Sequence, residues 1–558
     1  MSSGLKKGSE IIVEVLQQEG VDVLFGFPGG QVIPLYDALY QCPIRHILTR
    51  HEQGAAHAAD GYARATGRVG VCIATSGPGA TNLVTGLTNA HMDSVPMVAI
   101  TGQVPTSMIG NDSFQEADIY GISIPITKYN YLVKDINDLA RTLREAFYIA
   151  RTGRPGPVLV DIPRDIQDGR IKYKPVKEVS IPSYHPIIKG HPKQIDNAVK
   201  AIREAQRPVA YVGGGIISSG ATEELAQLIR TANIPVTATL LGKGSFPEDD
   251  ALNLGMPGMH GSRYANYSIY HSDLILALGV RFDDRVAGDV KKFAPQARII
   301  HVDIDPAEIG KRVGVDIPIV GDVKTVLGQI LGKIKAQERK PWLDQIAQWK
   351  KEHPLRYKNE GGLKPQFILE CINKIKNQDL IITTDVGQHQ MWAAQYIISK
   401  KPRTFISSGG LGTMGFGFPA GLGAQVGCPD KTVMIISGDG SFQMNIQELA
   451  TARTYNIPVK ICLFNNGVLG MVRQWQELFW NKRYSHTCFE FNPDFVKVAE
   501  GYDIKAKTVR TPEEVMPALD QALSIREPYL IDFRIAPEEN VFPMVPAGKG
   551  ICEILEES

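Results

Sequence analysis

The chain has 558 residues, 60 Lys and Arg against 59 Asp and Glu, and a formal net charge of +1. That length holds roughly three ordinary domains, and balanced charge with no basic block argues against a nucleic-acid binder, so anionic ligands must be held locally. Seven scattered cysteines with no C-x-x-C pair argue against a disulfide framework or zinc site and fit a reducing compartment; MSSGLKKGSEIIVEVLQQEG lacks the apolar stretch of a signal peptide or membrane helix.

Helical periodicity over 8–19 and 138–152 alternates with apolar runs at 23–25, 70–74, 97–100 and 158–160, which predicts a parallel α/β sheet in a first domain, 1–170. Within it Gly26-Phe27-Pro28-Gly29-Gly30 leads from a strand into a helix and offers backbone N–H groups to a developing oxyanion. The segment Arg50-His51-Glu52 opens a helix rich in Ala and Gly, which reads as room for a flat ring beside Glu52. His57 stands six positions after His51, so the H-E-x-x-H spacing of a zinc protease is absent. Ser76-Gly77-Pro78-Gly79-Ala80-Thr81-Asn82 is a strand-to-helix turn without the lysine of a Walker A loop.

Residues 168–193 lose periodicity, gather Pro and Lys, and read as a linker. A second domain, 193–335, carries apolar runs at 208–212, 274–279 and 297–303. Gly213-Gly214-Gly215 follows the first of these, but Ser218 stands where a G-x-G-x-x-G fingerprint needs its third glycine. A charged helical stretch over 324–354 leads to a third domain, 363–540, with strands expected at 379–382, 404–406, 433–436, 459–464 and 529–533, and then a polar tail, 541–558. The fold class is therefore α/β, with three doubly wound parallel sheets.

The most informative feature lies in the third domain. Gly438-Asp439-Gly440 ends one apolar run, and Asn465-Asn466 ends the next after an intervening helix. A parallel crossover puts both strand ends on one sheet edge, so Asp439 and Asn466 face a common point. One carboxylate and one amide oxygen suit Mg2+ whose remaining ligands are phosphates and water.

That spacing resembles the signature of thiamine diphosphate (ThDP) enzymes. GDGSFQMNIQELATARTYNIPVK and RHEQGAAHAADGYARATG resemble the large catalytic subunits of acetolactate (acetohydroxyacid) synthases, and the resemblance runs from Gly8 to about Pro546. It implies pyrimidine-binding, FAD-binding and diphosphate-binding domains in that order. The implied reaction is decarboxylation of pyruvate and ligation to a second pyruvate, giving 2-acetolactate, or to 2-ketobutyrate, giving 2-aceto-2-hydroxybutyrate, the first common step of branched-chain amino acid biosynthesis. With no net redox, FAD would be structural.

The resemblance also implies roles residue by residue. Glu52 shares a proton with the ThDP pyrimidine, and Gly29, Gln115 and Lys128 are the other catalytic candidates. Gln388, His389, Gly412, Met414, Gly440, Ser441 and Val468 hold ThDP, with Met414 as the wedge under its bend, and Asp439, Asn466 and the Val468 carbonyl hold Mg2+. FAD falls to Arg154, Gly213, Gly214, Gly215, Met259, His260, Gly279, Arg281, Arg285, Asp303, Ile304, Asp322 and Val323. Phe114, Arg285, Met471 and Trp475 contact the 2-keto acids.

Further implications are a homodimer or homotetramer whose cofactor halves meet across a subunit interface, a small regulatory subunit, no nucleic acid or membrane partner, and a cytoplasmic or plastid-stromal setting. Arg164 departs from the lysine of many relatives. Alternatives stay open at this point: a related ThDP enzyme such as glyoxylate carboligase or pyruvate oxidase, a catalytically silent flavin binder, a middle domain that has lost its nucleotide, and core-filling roles for Met414 and Trp475. Glu52 counts against a glyoxylate carboligase, and Glu52 with Asp439 against a silent homologue.

Overall fold

Short aliphatic runs bounded by glycine and proline turns become strands buried on both faces, as parallel sheets covered by helices require. The computed structural model describes residues 4–375 and 379–556 and holds three such sheets. β1 (Leu5–Lys7) is a short N-terminal strand. The first sheet contains β2 (Val23–Gly26), β3 (Arg45–Leu48), β4 (Gly70–Ala74), β5 (Met97–Gln103), β6 (Tyr129–Leu132) and β7 (Pro157–Pro163), in the order β3-β2-β4-β5-β7-β6. β8 (Arg170–Lys172) then returns to pair antiparallel with β1.

The middle sheet contains β9 (Pro208–Val212), β10 (Val236–Ala238), β11 (Leu274–Leu278), β12 (Arg298–Asp303) and β13 (Ile317–Val320), in the order β10-β9-β11-β12-β13. The last contains β14 (Leu380–Thr384), β15 (Phe405–Ser407), β16 (Thr432–Gly438), β17 (Lys460–Asn465), β18 (Lys505–Val509) and β19 (Tyr529–Arg534), in the order β15-β14-β16-β17-β19-β18. Numbered along the chain within each sheet, the first and last share the order 2-1-3-4-6-5. The chain therefore contains the same topology twice.

Strand order reverses between β2 and β4, between β9 and β11, and between β14 and β16. Ligands of open α/β sheets bind in the crevice at such a reversal, beyond the carboxyl ends of the strands. The turns after these six strands are the glycine-rich segments of the sequence: 26–30, 76–82, 213–215, 279–285, 385–389 and 438–441.

Six helices carry or brace the site: α1 (Glu52–Thr66), α2 (Val84–Met92), α3 (Gln388–Tyr396), α4 (Gly417–Gly427), α5 (Leu449–Thr454) and α6 (Gly470–Phe479). The Ala and Gly content of α1, read above as room for a flat ring, serves a different purpose. α1 packs directly on α4, where a Cβ on Gly61 would lie 2.0 Å from the Ala420 carbonyl oxygen and one on Gly423 would lie 1.8 Å from that of Ala58. The two contacts are reciprocal, glycine of one helix on alanine of the other, and only missing side chains let the backbones come so close.

The linker and the tail are both packed. Tyr173, Val176 and Ile181 pack on the first domain's core. The tail is fastened to the middle domain. Val545 N–H donates to the Met259 carbonyl at 2.7 Å, Met544 bridges to Leu555, and Ile551 is buried in the middle domain's core. Positions 1–3 of the first domain and 557–558 of the tail lie outside the described residues.

Candidate active site

The metal clamp is assembled as the crossover predicts. Asp439 ends up 1% exposed at the end of β16, and its Oδ2 accepts from the Gly467 N–H at 2.9 Å, directly beside Asn466. A second donor, the Asn492 amide, reaches the same oxygen at 2.6 Å and also donates to Asn465 Oδ1 at 3.1 Å. Burial pushes the Asp439 carboxyl up to about 6, against the Asn492 and backbone bonds that hold it down. These stabilising groups are amides, with no cationic side chain among them, so the site favours a bound cation. Asn466 Oδ1 accepts from Val468 N–H at 3.3 Å, keeping its amide and the Val468 backbone together. Among the described residues no group of three His, Cys, Asp or Glu forms a metal cluster.

The anion side is equally specific. Gln388 and His389 open α3, whose first N–H groups lack intrahelical partners. His389 is held between Gly387 and Gly438, where any Cβ would strike its ring at 2.8 Å, and burial drives its pKa down to about 3. The neutral ring leaves Nε2 buried and unpartnered, as is Gln388 Oε1, whereas the Gln388 amide nitrogen donates to Gln474 Oε1 and the Glu539 carbonyl. Ser441 Oγ donates to the Val386 carbonyl at 2.9 Å, and Gly440 is packed under Leu469 and Phe489. The unpartnered His389 Nε2 and the free N–H groups of a helix N-terminus, beside a cation-seeking carboxylate, fit a metal-diphosphate group.

A second half-site lies in the first domain. Glu52, 9% exposed at the start of α1, accepts from the Asn82 amide at 2.9 Å. Gly79 faces Glu52 Oε1 and Thr75, and Gly29 backs on Thr75, where a Cβ would lie 2.4 Å from the side chain. Gln115 adopts φ +60° and its backbone covers Gly77; its neighbour Phe114 is 87% exposed. Lys128 does not join this group. Its ammonium caps the end of the helix Leu139–Arg151 by donating to the Ile149 and Thr152 carbonyls and to the Tyr184 hydroxyl, and burial pulls its pKa down to about 8. The structure gives it a capping role and not the catalytic one expected.

A cavity of about 1100 Å³ runs from the carboxyl edge of the middle sheet to the third domain. Gly213, Gly214 and Gly215 line it after β9, and Gly279, Arg281 and Arg285 after β11. Asp303 and Ile304 line it at the end of β12, Asp322 and Val323 after β13, and Met259, His260 and Arg154 from the flanks. Gly215 and Gly279 approach so closely that a Cβ on either would lie 2.6 Å from the other's Cα. His260 Nδ1 is buried without a partner, and burial pushes Asp303 up to about 6. Arg154 is tied to Asp305 and Glu308 at 3.1 and 2.7 Å. A glycine-paved floor, an acidic strand end and an unpartnered imidazole nitrogen suit a dinucleotide.

Gly412, Met414, Met471 and Trp475 line the same cavity from the third domain. Met414 and Trp475 are half-buried at its wall, so neither is core filler, and the Arg285 guanidinium stacks on the Trp475 ring at 5.7 Å. Glu52, Gly29, Phe114 and Gln115 do not line it.

Several bracing residues escaped the sequence reading. Asp93, just beyond α2, accepts from the N–H groups of Gly409 and Gly410 at 3.0 and 2.6 Å and pairs with Arg64 at 2.8 Å. Asn89 Oδ1 accepts from Ser408 and Thr413, fixing the loop that carries Gly412 and Met414. No local spacing marks these residues or Asn492, which lies 53 positions beyond its partner Asp439.

Duplicated α/β domains bearing complementary halves of a diphosphate-cofactor site, with a nucleotide-sized cavity between them, define a thiamine diphosphate-dependent enzyme. Three family profiles agree: the thiamine pyrophosphate enzyme N-terminal TPP binding domain matches residues 6–122, the central domain 195–330 and the C-terminal TPP binding domain 385–533. The chain is 53% identical to a probable acetolactate synthase large subunit of Methanocaldococcus jannaschii, over 99% of this chain and 95% of the relative. It is 52% identical to the acetolactate synthase large subunit of Corynebacterium glutamicum, over 98% and 90% of the two chains, and 50% identical to the acetolactate synthase of Arthrospira platensis, over 97% and 96%. The chain belongs to the acetolactate synthase large-subunit family.

Proposed function

We infer that this chain is a catalytic acetolactate synthase subunit, which decarboxylates pyruvate and joins the two-carbon unit to a second pyruvate or to 2-ketobutyrate. The observation that carries the reading is the joint presence of Glu52, oriented by Asn82, and the Asp439–Asn466 clamp. A silent homologue would have no use for either buried group.

When bound, ThDP supplies the carbon nucleophile. Glu52 holds a proton at the N-terminal edge of α1, beside Gly79 and the Asn82 amide, where a carboxyl can exchange it with a ring nitrogen. Asp439, Asn466 and the Val468 carbonyl would be the ligands for Mg2+; Gln388, His389, Gly440 and Ser441 would hold the diphosphate; Gly412 and Met414 would pack against the cofactor from the third-domain wall of the cavity. Arg285 would take the acceptor's carboxylate and Trp475, under its guanidinium, would face the acceptor's alkyl group with Met471, while Phe114 stands on the Glu52 side. Gly29 and Gln115 lie on the Glu52 side. FAD would be held in the middle-domain cavity by the residues that line it and, since the reaction has no net redox change, would serve there as a structural group. The cavity's glycine floor and unpartnered His260 Nδ1 favour this over a middle domain that has lost its nucleotide.

Because Glu52 is absent from the cavity that Met414 lines, one chain does not complete a site. The working unit is then a homodimer, or a homotetramer, with Glu52 of one protomer opposite the clamp of its partner. The first domain (1–170) brings the proton-transfer half, the middle (193–335) the flavin, and the third (363–540) the metal-diphosphate half. The relatives' designation as large subunits supports a small regulatory subunit as a further partner. Among the described residues no helix is long and apolar enough to cross a membrane, and all seven cysteines are free, which suits a reducing cytoplasm or stroma.

Product analysis tests the reading. Pyruvate alone should yield 2-acetolactate, and added 2-ketobutyrate should yield 2-aceto-2-hydroxybutyrate, without oxygen uptake. Stoichiometric hydrogen peroxide would make the protein an oxidase and overturn it.

A further inference from the structure

Glu448 is fully buried, lies outside the cavity, and has no part in the chemistry described so far. It belongs to the third domain, at the end of the 3-10 turn Gln443–Glu448 that leads into α5. Its Oε1 nevertheless reaches the first domain and accepts from the backbone N–H groups of Arg50 at 2.9 Å and His51 at 3.1 Å, while its Oε2 accepts from Thr451 at 2.6 Å. These are the two residues immediately before Glu52, and His51 is the N-cap of α1. Their N–H groups precede the helix and have no carbonyl within it to bond.

The surrounding contacts follow the same line. Leu48 N–H donates to the Tyr455 hydroxyl at 2.9 Å and Arg50 Nη2 to Thr454 Oγ1 at 3.1 Å, so the 448–455 segment runs along the chain that leaves β3 and enters α1. Gly54, one turn into α1, is bare against the same carboxylate: a Cβ there would lie 2.5 Å from Glu448 Oε1. Glu52 is the first residue of α1, and its direction depends on how that first turn is set. Burial penalises the Glu448 carboxylate, pushing it up to about 7, and the two N–H bonds and Arg50 offset part of that cost. A buried acceptor that satisfies two otherwise orphaned donors at the foot of a functional helix serves to fix that foot.

We propose that Glu448 is a positioning residue for Glu52: by holding the N–H groups of Arg50 and His51 it sets the first turn of α1 and thereby the aim of the Glu52 carboxyl. The proposal rests on Glu52 as the proton-transfer group. A shift of about 1 Å in such a group costs on the order of 10²-fold in rate.

The test uses the full-length holoenzyme at saturating ThDP and Mg2+, with hydrogen–deuterium exchange at the thiazolium C2 of bound ThDP measured by quenched NMR, alongside kcat and the ThDP and Mg2+ half-saturation points. Glu448→Ala and the gentler Glu448→Asp, which cannot reach both donors, should slow exchange and kcat together by about 10-fold or more, with half-saturation within about 2-fold of wild type. Glu448→Gln keeps the Oε1 acceptor and should restore most of the rate. In a Glu52→Gln background, Glu448→Asp should add little further loss. Unchanged exchange in Glu448→Asp, or a defect that appears only as a raised Mg2+ or ThDP requirement, overturns the proposal and assigns Glu448 to bracing the 439–448 turn. A harmless Glu52→Gln would overturn the reading of Glu52 beneath it.

Discussion

Asp439→Asn should make the metal-free protein more stable while removing its response to Mg2+. Asp439 is sealed from solvent, and burial lifts its carboxyl from 3.8 to about 6. A rise of about two units at ~1.36 kcal/mol each means that the metal-free native state at pH 7.5 carries about 3 kcal/mol of unfavourable charge burial. The folded pKa lies above the unfolded one, so the native state binds more protons between pH 4 and 6, and this penalty grows as pH rises through that window. Asparagine is nearly isosteric and cannot ionise. In urea denaturation with chelator present, the variant should exceed wild type by about 3 kcal/mol at pH 7.5, and the gap should shrink to about half by pH 5 as wild-type Asp439 takes up its proton. Adding Mg2+ with ThDP should raise the midpoint for wild type and leave the variant nearly unmoved. A metal-free variant less stable than wild type at pH 7.5, or a gap that does not narrow at pH 5, would refute the reasoning.

Glu52→Gln should lower kcat by roughly 10² to 10⁴-fold with the ThDP half-saturation point little changed, because the clamp is untouched; a twofold defect in steady-state assays would contradict the assignment. Trp475→Leu should shift the product ratio toward 2-acetolactate when pyruvate and 2-ketobutyrate compete, by up to the ~1 to 3 kcal/mol that one methylene is worth in an apolar pocket, and an unchanged ratio would remove Trp475 from the acceptor site. Gly423→Ala places a Cβ 1.8 Å from the Ala58 carbonyl and should destabilise the protein by about 1–3 kcal/mol or more, whereas Gly501→Ala, with nothing within 4 Å, serves as the control in the same thermal melts.

The strands that sequence periodicity reveals are those covered on both faces. β1, β3, β6, β8, β10, β13 and β18 escape it, and all seven are edge strands, where shorter or half-polar stretches such as Arg45–Leu48 and Lys505–Val509 blur the apolar signal. The clamp is legible because its spacing is a property of one strand-helix-strand crossover. Asn492, Asp93, Asn89 and Glu448 are not, since each acts on a partner dozens to hundreds of residues away and looks locally like any polar side chain. The alanines and glycines of α1 show the opposite failure. Composition correctly announces that something comes close, but cannot tell a ligand from another helix.

The contact of α1 with α4 also bears on how the molecule can deform. Two helices whose backbones meet through reciprocal glycines have no side-chain cushion to shear across, so sliding either would drive a carbonyl into a Cα. The first and third domains of a chain therefore form one unit, with the helix that begins at Glu52 fixed on the domain that carries Asp439. The middle domain is held to that unit by side-chain ties, Arg154 to Asp305 and Glu308 and Lys243 to the Ala394 and Ile397 carbonyls, and by the tail fastened at Met259, so the large cavity can widen only where those ties let go.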